Sequence, residues 1–98
     1  MALLDLLGRR WLLRILWELR EDPLSFRVLR ERCGDISPTI LNRRLKEMRE
    51  AGIVELRSGS GYTVTSTGRT LFDVLAPLNK WAAGWERRLR LVAGKQLL

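Results

Sequence analysis

The first twenty residues place apolar side chains at helical intervals. A short helix is predicted at Ala2–Leu7, interrupted at Gly8, and a second helix, or a continuation of the first, at Arg9–Arg20. At about 100° per residue, the apolar positions of the second segment cover an arc wider than one core contact requires. That arc contains Trp11, Leu12, Leu13, Ile15, Leu16, Trp17 and Leu19. We therefore expect this helix to be central in the fold or to be covered by a second subunit.

Two further helices with a tight connection follow. Ser25 can act as the N-cap of a helix over residues 26–33. After the connecting residues "GDIS", Ser37 is the predicted N-cap of a helix over residues 38–51. Two helices joined in this way predict a helix-turn-helix over about residues 25–51.

The pattern then changes to a period of two. The segments "IVELR" and "YTVT" alternate apolar and polar residues on either side of "SGSG", which predicts a β-hairpin over about residues 53–65 with a four-residue loop. A long helix is predicted over about residues 67–92. Because its apolar positions stay in phase across Pro77, we expect a kink there rather than two helices. Those positions approach a heptad seam and are Leu71, Val74, Leu78, Trp81, Trp85, Leu89 and Val92.

The order helix, helix, helix, hairpin, helix indicates the fold class. It predicts a mostly α protein with a small β-hairpin, namely a winged helix-turn-helix. At 98 residues the chain is expected to form a single domain over residues 1–98, with dimerisation helices at about 2–20 and 67–92. A dimer would cover an apolar surface larger than soluble monomers usually expose. The predicted dimer residues are Leu3, Leu7, Trp11, Leu13, Trp17, Leu78, Trp81, Trp85 and Leu89.

The amino-acid composition limits the kinds of partner and site that the chain can have. The net charge of +7 favours a polyanionic partner, most directly nucleic acid. The chain has no histidine and one cysteine, Cys33, so we expect no internal disulfide, no metal site and no cofactor. A nucleophile would lack an obvious base, which argues against an enzyme. The sequence has no signal-peptide pattern and no apolar run long enough to span a membrane, so we expect a cytoplasmic protein.

The helix over residues 38–51 has the charge distribution of a DNA-recognition helix. Its polar half carries no acid in the first two turns, whereas Glu47 and Glu50 come near its end. Because carboxylates repel phosphates, the amino-terminal half is the part that could enter a major groove. The polar residues of that half are Thr39, Asn42, Arg43 and Lys46.

Arg44 projects within the apolar half of the same helix and has two interpretations. Its stem could pack on the core while its guanidinium reaches an acid such as Glu31 or Asp35. Alternatively, the side chain could hold a phosphate at the edge of the groove. Both interpretations stay open from the sequence alone.

These segments resemble a known family, the HxlR-type winged helix-turn-helix transcriptional regulators of the MarR-like superfamily. The resemblance covers roughly residues 4–85 and rests on "GRRWLLRILWEL", "SFRVLRE", "ISPTILNRRLKEMREAGIVE" and "YTVTSTGRTL", in that order. It implies a homodimer that binds double-stranded DNA at palindromic operators and regulates neighbouring genes, most simply as a repressor. It also implies that residues 38–51 form the recognition helix and residues 57–62 the wing.

The expected DNA contacts combine this resemblance with the charge distribution. They are Ser37, Pro38, Thr39, Asn42, Arg43, Arg44 and Lys46 of the helix, and Arg57, Ser58 and Ser60 of the wing. The wing is shorter than in many members of the family, and Arg57 is its only nearby cation. Some members sense oxidants through a cysteine near the amino terminus, which this chain lacks. Cys33 is instead expected to be a small, buried apolar residue.

The four tryptophans leave other interpretations open. They suit packing in the core and a dimer, an interface with another protein, or a pocket for a small-molecule effector. The alternative to a transcription factor is therefore a non-catalytic adaptor that binds protein or RNA. Binding to a palindromic site and to random duplex separates the two, because only a transcription factor shows a large specificity ratio.

Overall fold

The computed structural model describes residues 2–97, which form five helices and one two-stranded antiparallel sheet. This arrangement confirms the predicted mostly α fold with a small hairpin. In chain order the elements are α1 (Ala2–Leu7), α2 (Leu12–Glu18), α3 (Phe26–Arg32), α4 (Pro38–Glu50), β1 (Val54–Arg57), β2 (Gly61–Val64) and α5 (Ser66–Leu97). No helix in the described range is long and apolar enough to cross a membrane.

The hydrophobic core lies where α2, α3, α4 and the hairpin meet. Leu12, Ile15 and Leu16 of α2 are buried in it. This helix is therefore central in the fold, which was one of the two expectations for it. The other buried apolar residues are Leu19, Leu24, Leu29, Cys33, Ile36, Leu41, Leu45, Met48, Ile53 and Val54. By contrast, α1 contains no buried residue. Part of the apolar surface of this fold is therefore left outside the core.

The second helix is shorter than the predicted Arg9–Arg20. It begins at Leu12, because Trp11 adopts a left-handed conformation with a φ of 76° and interrupts the helical path. A bulky residue takes up this conformation only when its surroundings hold it there, and the Trp11 ring packs against the core. Hydrophobic periodicity cannot reveal such a residue, since it reports only which side chains are apolar.

The two predicted serine caps have different outcomes. Ser25 accepts a hydrogen bond from the backbone N–H of Val28 at 3.2 Å, which confirms it as the N-cap of α3. The hydroxyl of Ser37 makes no capping hydrogen bond, so that part of the prediction is wrong. Pro38 starts α4 as predicted, and Ser37 is exposed. Water can therefore reach the N–H groups of the first turn in place of the hydroxyl.

The hairpin is tighter than predicted. Arg57 of β1 pairs with Gly61 of β2, so the loop consists of residues 58–60 rather than four residues. Gly61 has a φ of 102°, and a Cβ added there would collide with the carbonyl group of Leu24. This close approach lets Leu24 form a bridge with Tyr62, with N···O distances of 2.9 and 2.8 Å.

Thr65 fixes the start of α5 against the hairpin. Its hydroxyl accepts a hydrogen bond from the N–H of Gly68 at 3.0 Å, and its own N–H donates to the carbonyl of Ile53 at 2.9 Å. The helix continues through Pro77 to Leu97, beyond the predicted end at residue 92. The kink at Pro77 stays a prediction. At about 1.5 Å per residue, α5 extends well past the core, consistent with a longest dimension of 57 Å.

Candidate nucleic-acid interface

Helix α4 presents the predicted polar face to solvent. Its buried residues are Leu41, Leu45 and Met48, and they hold the opposite side of the helix against the core. The exposed residues at its amino-terminal half include Thr39, Asn42, Arg43 and Lys46. No acid is exposed among them, so the structure brings these predicted contacts together on one accessible surface.

Three cations of α4 keep their charge available. Within residues 2–97, Arg43, Lys46 and Arg49 take part in no ion pair and no side-chain hydrogen bond, although six ion pairs occur elsewhere in the same range. All three are exposed. A surface of uncompensated positive charge on a helix of this kind favours a polyanion.

Glu47 was predicted on the exposed polar half, and this is wrong. Its side chain is only 16% exposed, with Oε1 2.9 Å from Arg44 Nη1 and Oε2 2.7 Å from Arg9 Nη1. Arg9 belongs to the turn between α1 and α2. The Glu47 side chain therefore points toward this turn and away from solvent. The sequence alone could not show this, because the partner lies 38 positions earlier in the chain.

Arg44 is held away from the exposed face. Its guanidinium donates to the carbonyl oxygen of Arg10 at 2.8 Å and to Glu47 at 2.9 Å, and its side chain is 16% exposed. The packed interpretation therefore describes it better than the phosphate contact, although its acid is Glu47 rather than Glu31 or Asp35. We correct its predicted role accordingly: Arg44 positions α4 against the turn that precedes α2.

The environment of Glu47 makes stability depend on pH. Partial burial by itself raises the pKa of this carboxyl, but the hydrogen bond from Arg9 and the charges of Arg44 and Arg9 outweigh it. The pKa of Glu47 is therefore lower than its ordinary value in the folded protein. A lowered folded-state pKa stabilises the fold above the unfolded pKa, and this contribution is lost as pH falls through the folded value.

We expect Glu47→Gln to lower the free energy of unfolding by about 1–2 kcal/mol at pH 7, because the ion pairs of Glu47 with Arg9 and Arg44 are lost. The deficit relative to wild type should shrink as pH falls from about 4.3, where the unfolded wild-type carboxyl becomes neutral, through the lower pKa of the folded carboxyl. Urea unfolding at pH 7, 5 and 3 measures it, with Glu50→Gln as the control at an exposed acid of the same helix. A deficit that is the same at all three pH values would contradict this account.

The wing offers little charge to DNA. Arg57 is exposed, but its Nε lies 2.7 Å from Glu55 Oε1, which already balances part of its charge. Ser58 and Ser60 lie in the exposed loop between the strands. The structure thus places all three predicted wing residues on the surface, with only hydroxyl groups and one paired cation among them.

Sequence reasoning missed two residues of the exposed surface at α4. A concavity of about 470 Å³ lies between α4 and β2, and Tyr62 and Arg49 line it. The other lining residues are Asn42, Arg43, Leu45 and Lys46. Arg49 lies beyond the amino-terminal half of the helix, to which the expected contacts were confined. Tyr62 has the alternating pattern of a core-facing strand residue, so only the packing of β2 beside α4 reveals its position.

The predicted dimer residues divide into two groups. Leu7 and Trp11 are half-buried against the core of their own chain. The others are exposed, namely Leu3, Leu13, Trp17, Leu78, Trp81, Trp85 and Leu89. The Trp81 and Trp85 rings stack with centroids 5.8 Å apart. Exposed apolar side chains are therefore present on α1, on α2 and along α5.

A cavity of about 240 Å³ lies between α2 and α5. Trp17 and Phe72 line it, and their ring centroids are 5.9 Å apart. Its lining is almost entirely apolar, which suits either a small apolar ligand or side chains of another subunit. The cavity beside Trp17 is therefore compatible both with an effector pocket and with packing in a dimer.

Cys33 lies in the core, as expected. It is 2% exposed, and burial together with the negative charge of Glu18 raises the pKa of its thiol. A buried thiol with a raised pKa is protonated and poorly reactive.

Comparisons with known proteins agree with this arrangement. The HxlR-like helix-turn-helix family model matches residues 6–90. YvaP of Bacillus subtilis, an uncharacterised HTH-type transcriptional regulator, is 29% identical over an alignment of 87 residues that covers 83% of this chain and 81% of that protein.

Solved structures show the same fold. Quinone-bound YodB from Bacillus subtilis superimposes with a TM-score of 0.77 at 34% identity, over 85% of this chain and 92% of that chain. A possible HxlR family transcriptional factor from Thermoplasma volcanium gives a TM-score of 0.77 at 32% identity, over 89% and 84%. Since the family model covers most of the chain and structures more than 30% identical share its fold, this protein belongs to the HxlR-like helix-turn-helix family of DNA-binding transcriptional regulators.

Proposed function

We propose that this DNA-binding regulator acts as a homodimeric repressor on a palindromic operator. One observation carries the proposal: the amino-terminal half of α4 exposes polar and basic side chains without an acid, and the cations on this face are unpaired within residues 2–97. Such a helix fits the width of a major groove, about 12 Å, and its charges attract the phosphates that border it.

The side chains of α4 suggest separate roles. Arg43 and Asn42 carry the groups that read guanine and adenine edges through paired hydrogen bonds. Thr39 and Lys46 lie on the same exposed face and can contact either bases or phosphates. Ser37 and Pro38 at the start of the helix, and Ser58 and Ser60 of the wing, are candidates for backbone contacts only.

The uncovered apolar face supports a dimer. It includes Trp81 and Trp85, which are 56% and 44% exposed, and α1, which has no buried residue. A second copy related by a two-fold axis would cover this face and present two recognition helices about 34 Å apart, one turn of DNA. A single helix makes too few base contacts to hold an operator against the excess of other sites.

The cavity between α2 and α5 is the proposed place for a small-molecule effector. It lies between the central helix and the helix that would face the partner, beside Trp17 and Phe72. A ligand seated there would change the angle between α2 and α5 and therefore the spacing of the recognition helices. Repression itself would follow from occupancy of DNA near a promoter in the cytoplasm, where the bound dimer excludes the polymerase.

Selection of bound duplexes from a random pool tests the proposal. We expect enrichment of an inverted repeat whose half-site centres are about 10 base pairs, or a multiple of this, apart. An adaptor that binds protein or RNA would enrich no sequence and would bind all duplexes alike. A reporter placed behind the selected site should lose expression when the protein is present, whereas increased expression would identify an activator.

We predict that Arg43→Ala weakens binding to the selected operator by on the order of 1–3 kcal/mol and relaxes the preference at one base pair in each half-site. The reason is the loss of a bidentate contact to a base edge. Gel-shift titration on operator and on random duplex of equal length measures both effects. Arg87→Ala serves as the control, since it removes the same charge from α5, outside the recognition helix and wing. Equal losses on both duplexes would make Arg43 a phosphate contact.

A further inference from the structure

The concavity between α4 and β2 has a composition that suits a phosphate group. We infer that a backbone phosphodiester of the bound DNA sits there, held by Lys46 and Arg49 of α4 and by the hydroxyl of Tyr62 of β2. The inference rests on the proposed binding of duplex DNA by α4. It assigns a DNA contact to the second strand of the hairpin, whereas the sequence pointed to the wing loop.

Tyr62 is held firmly at this place. Its backbone N–H and carbonyl exchange hydrogen bonds with Leu24 at 2.8 and 2.9 Å on one side, and it pairs with Leu56 of β1 on the other. The side chain is half-buried and packs against the core while it lines the concavity. The only polar group of a tyrosine side chain is its phenol hydroxyl, which can donate to a phosphate oxygen. Because the backbone of Tyr62 is paired on both sides and its ring is packed, the side chain loses little freedom on binding.

The charges around the concavity all favour an anion. Arg43, Lys46 and Arg49 line it, and none of them has an ionic partner within residues 2–97. Glu50 of α4 and Glu55 of β1 line a different depression, on the β1 side of α4, and Glu47 is paired with Arg9 and Arg44. Lys46 and Arg49 border both depressions, so they form a positive ridge with acids on one side only. An anion is therefore favoured on the Tyr62 side.

The position of Arg49 along α4 also supports a phosphate contact. From Asn42 to Arg49 the helix rises by about 10 Å, at about 1.5 Å per residue. The amino-terminal residues of a recognition helix contact base edges, and phosphates border the groove, so a cation near the other end of the helix is placed for a phosphate contact. Arg49 stands in the last turn of α4, and Tyr62 lines the same concavity. A phosphate held by Arg49 would therefore also face β2.

Two substitutions test this inference with purified full-length protein. Tyr62→Phe keeps the packed ring and removes only the hydroxyl, and it should weaken binding to operator and to random duplex alike, by about tenfold. Arg49→Gln should lower the slope of log K against log salt by about 0.9 for each half-site, because one phosphate contact is lost. Arg87→Gln removes a charge from α5 and should leave the slope unchanged. Urea unfolding verifies that each variant is folded.

The possible results are distinguishable. If wild type prefers its operator and both variants bind as wild type does, this inference is overturned and the proposed function stands. If Tyr62→Phe weakens binding to operator alone, the hydroxyl reads a base, and the phosphate assignment is overturned. A wild-type protein that binds no duplex would overturn both proposals together. Should Tyr62→Phe fail to fold, the salt slope of Arg49→Gln decides: an unchanged slope overturns the inference and a reduced slope supports it.

Discussion

Trp85→Glu is expected to shift the protein from dimer to monomer and to weaken operator binding by orders of magnitude. Trp85 is 44% exposed and stacks on Trp81 with 11° between the ring planes. This pair stands near the middle of the apolar stripe formed with Leu78 and Leu89. A carboxylate placed there would be removed from water when two copies associate, at a cost of several kcal/mol without a partner cation.

The matched control is Ala83→Glu, which adds the same charge to an exposed position on the opposite side of the same helix. It should leave both properties unchanged. Sedimentation at micromolar concentration reports the oligomeric state, and gel-shift titration reports the affinity. Circular dichroism should show an unchanged total helix content in both variants, since neither position belongs to the core. A wild-type monomer that binds an inverted repeat tightly would overturn the dimer proposal.

Gly68→Ala should destabilise the fold by about 3 kcal/mol, at the upper end of what overpacking usually costs. A Cβ at this position would collide with the carbonyl oxygen of Ile53 and lie 2.7 Å from Cγ1 of Val64. The carbonyl of Ile53 cannot give way easily, because it accepts the N–H of Thr65 and so helps to fix the start of α5. Thermal unfolding followed by circular dichroism measures the effect.

Gly84→Ala is a control for which the opposite change in stability is expected. It lies in the same helix, and a Cβ added there meets no atom within 4 Å apart from its chain neighbours and the adjacent backbone of the helix. Alanine is favoured over glycine inside a helix by about 0.5–1 kcal/mol, so this variant should be slightly more stable than wild type. If both glycine variants lost stability equally, the contact at Ile53 would not be the cause.

Sequence patterns predicted well those features that depend only on residues within the same element. The helical period of Leu41, Leu45 and Met48 identified the buried side of α4, and the alternation in "YTVT" identified β2. The N-cap at Ser25 was also predictable, because its partner is only three residues away. Such features depend on local sequence, which the period and the cap residues report directly.

The errors arose where a distant residue decides the conformation. Trp11 ends its helical path because the core holds its ring, and Glu47 turns inward because Arg9 approaches from another element. Tyr62 is a candidate contact because β2 packs beside α4, which the sequence alone does not show. In each case the local pattern was compatible with two conformations, and tertiary packing selected one of them.

The attachment of α4 through Arg44 and Glu47 has a consequence for how binding specificity can change. These two side chains secure the helix to the turn before α2, whereas Asn42, Arg43 and Lys46 make no such attachment. Attachment and the proposed base readout thus fall on different positions of the same helix. Under the proposed function, new target sequences can arise by substitution at the readout positions while the docking angle is preserved. Grafting those positions alone, with Arg44 and Glu47 retained, is the natural way to redirect this scaffold.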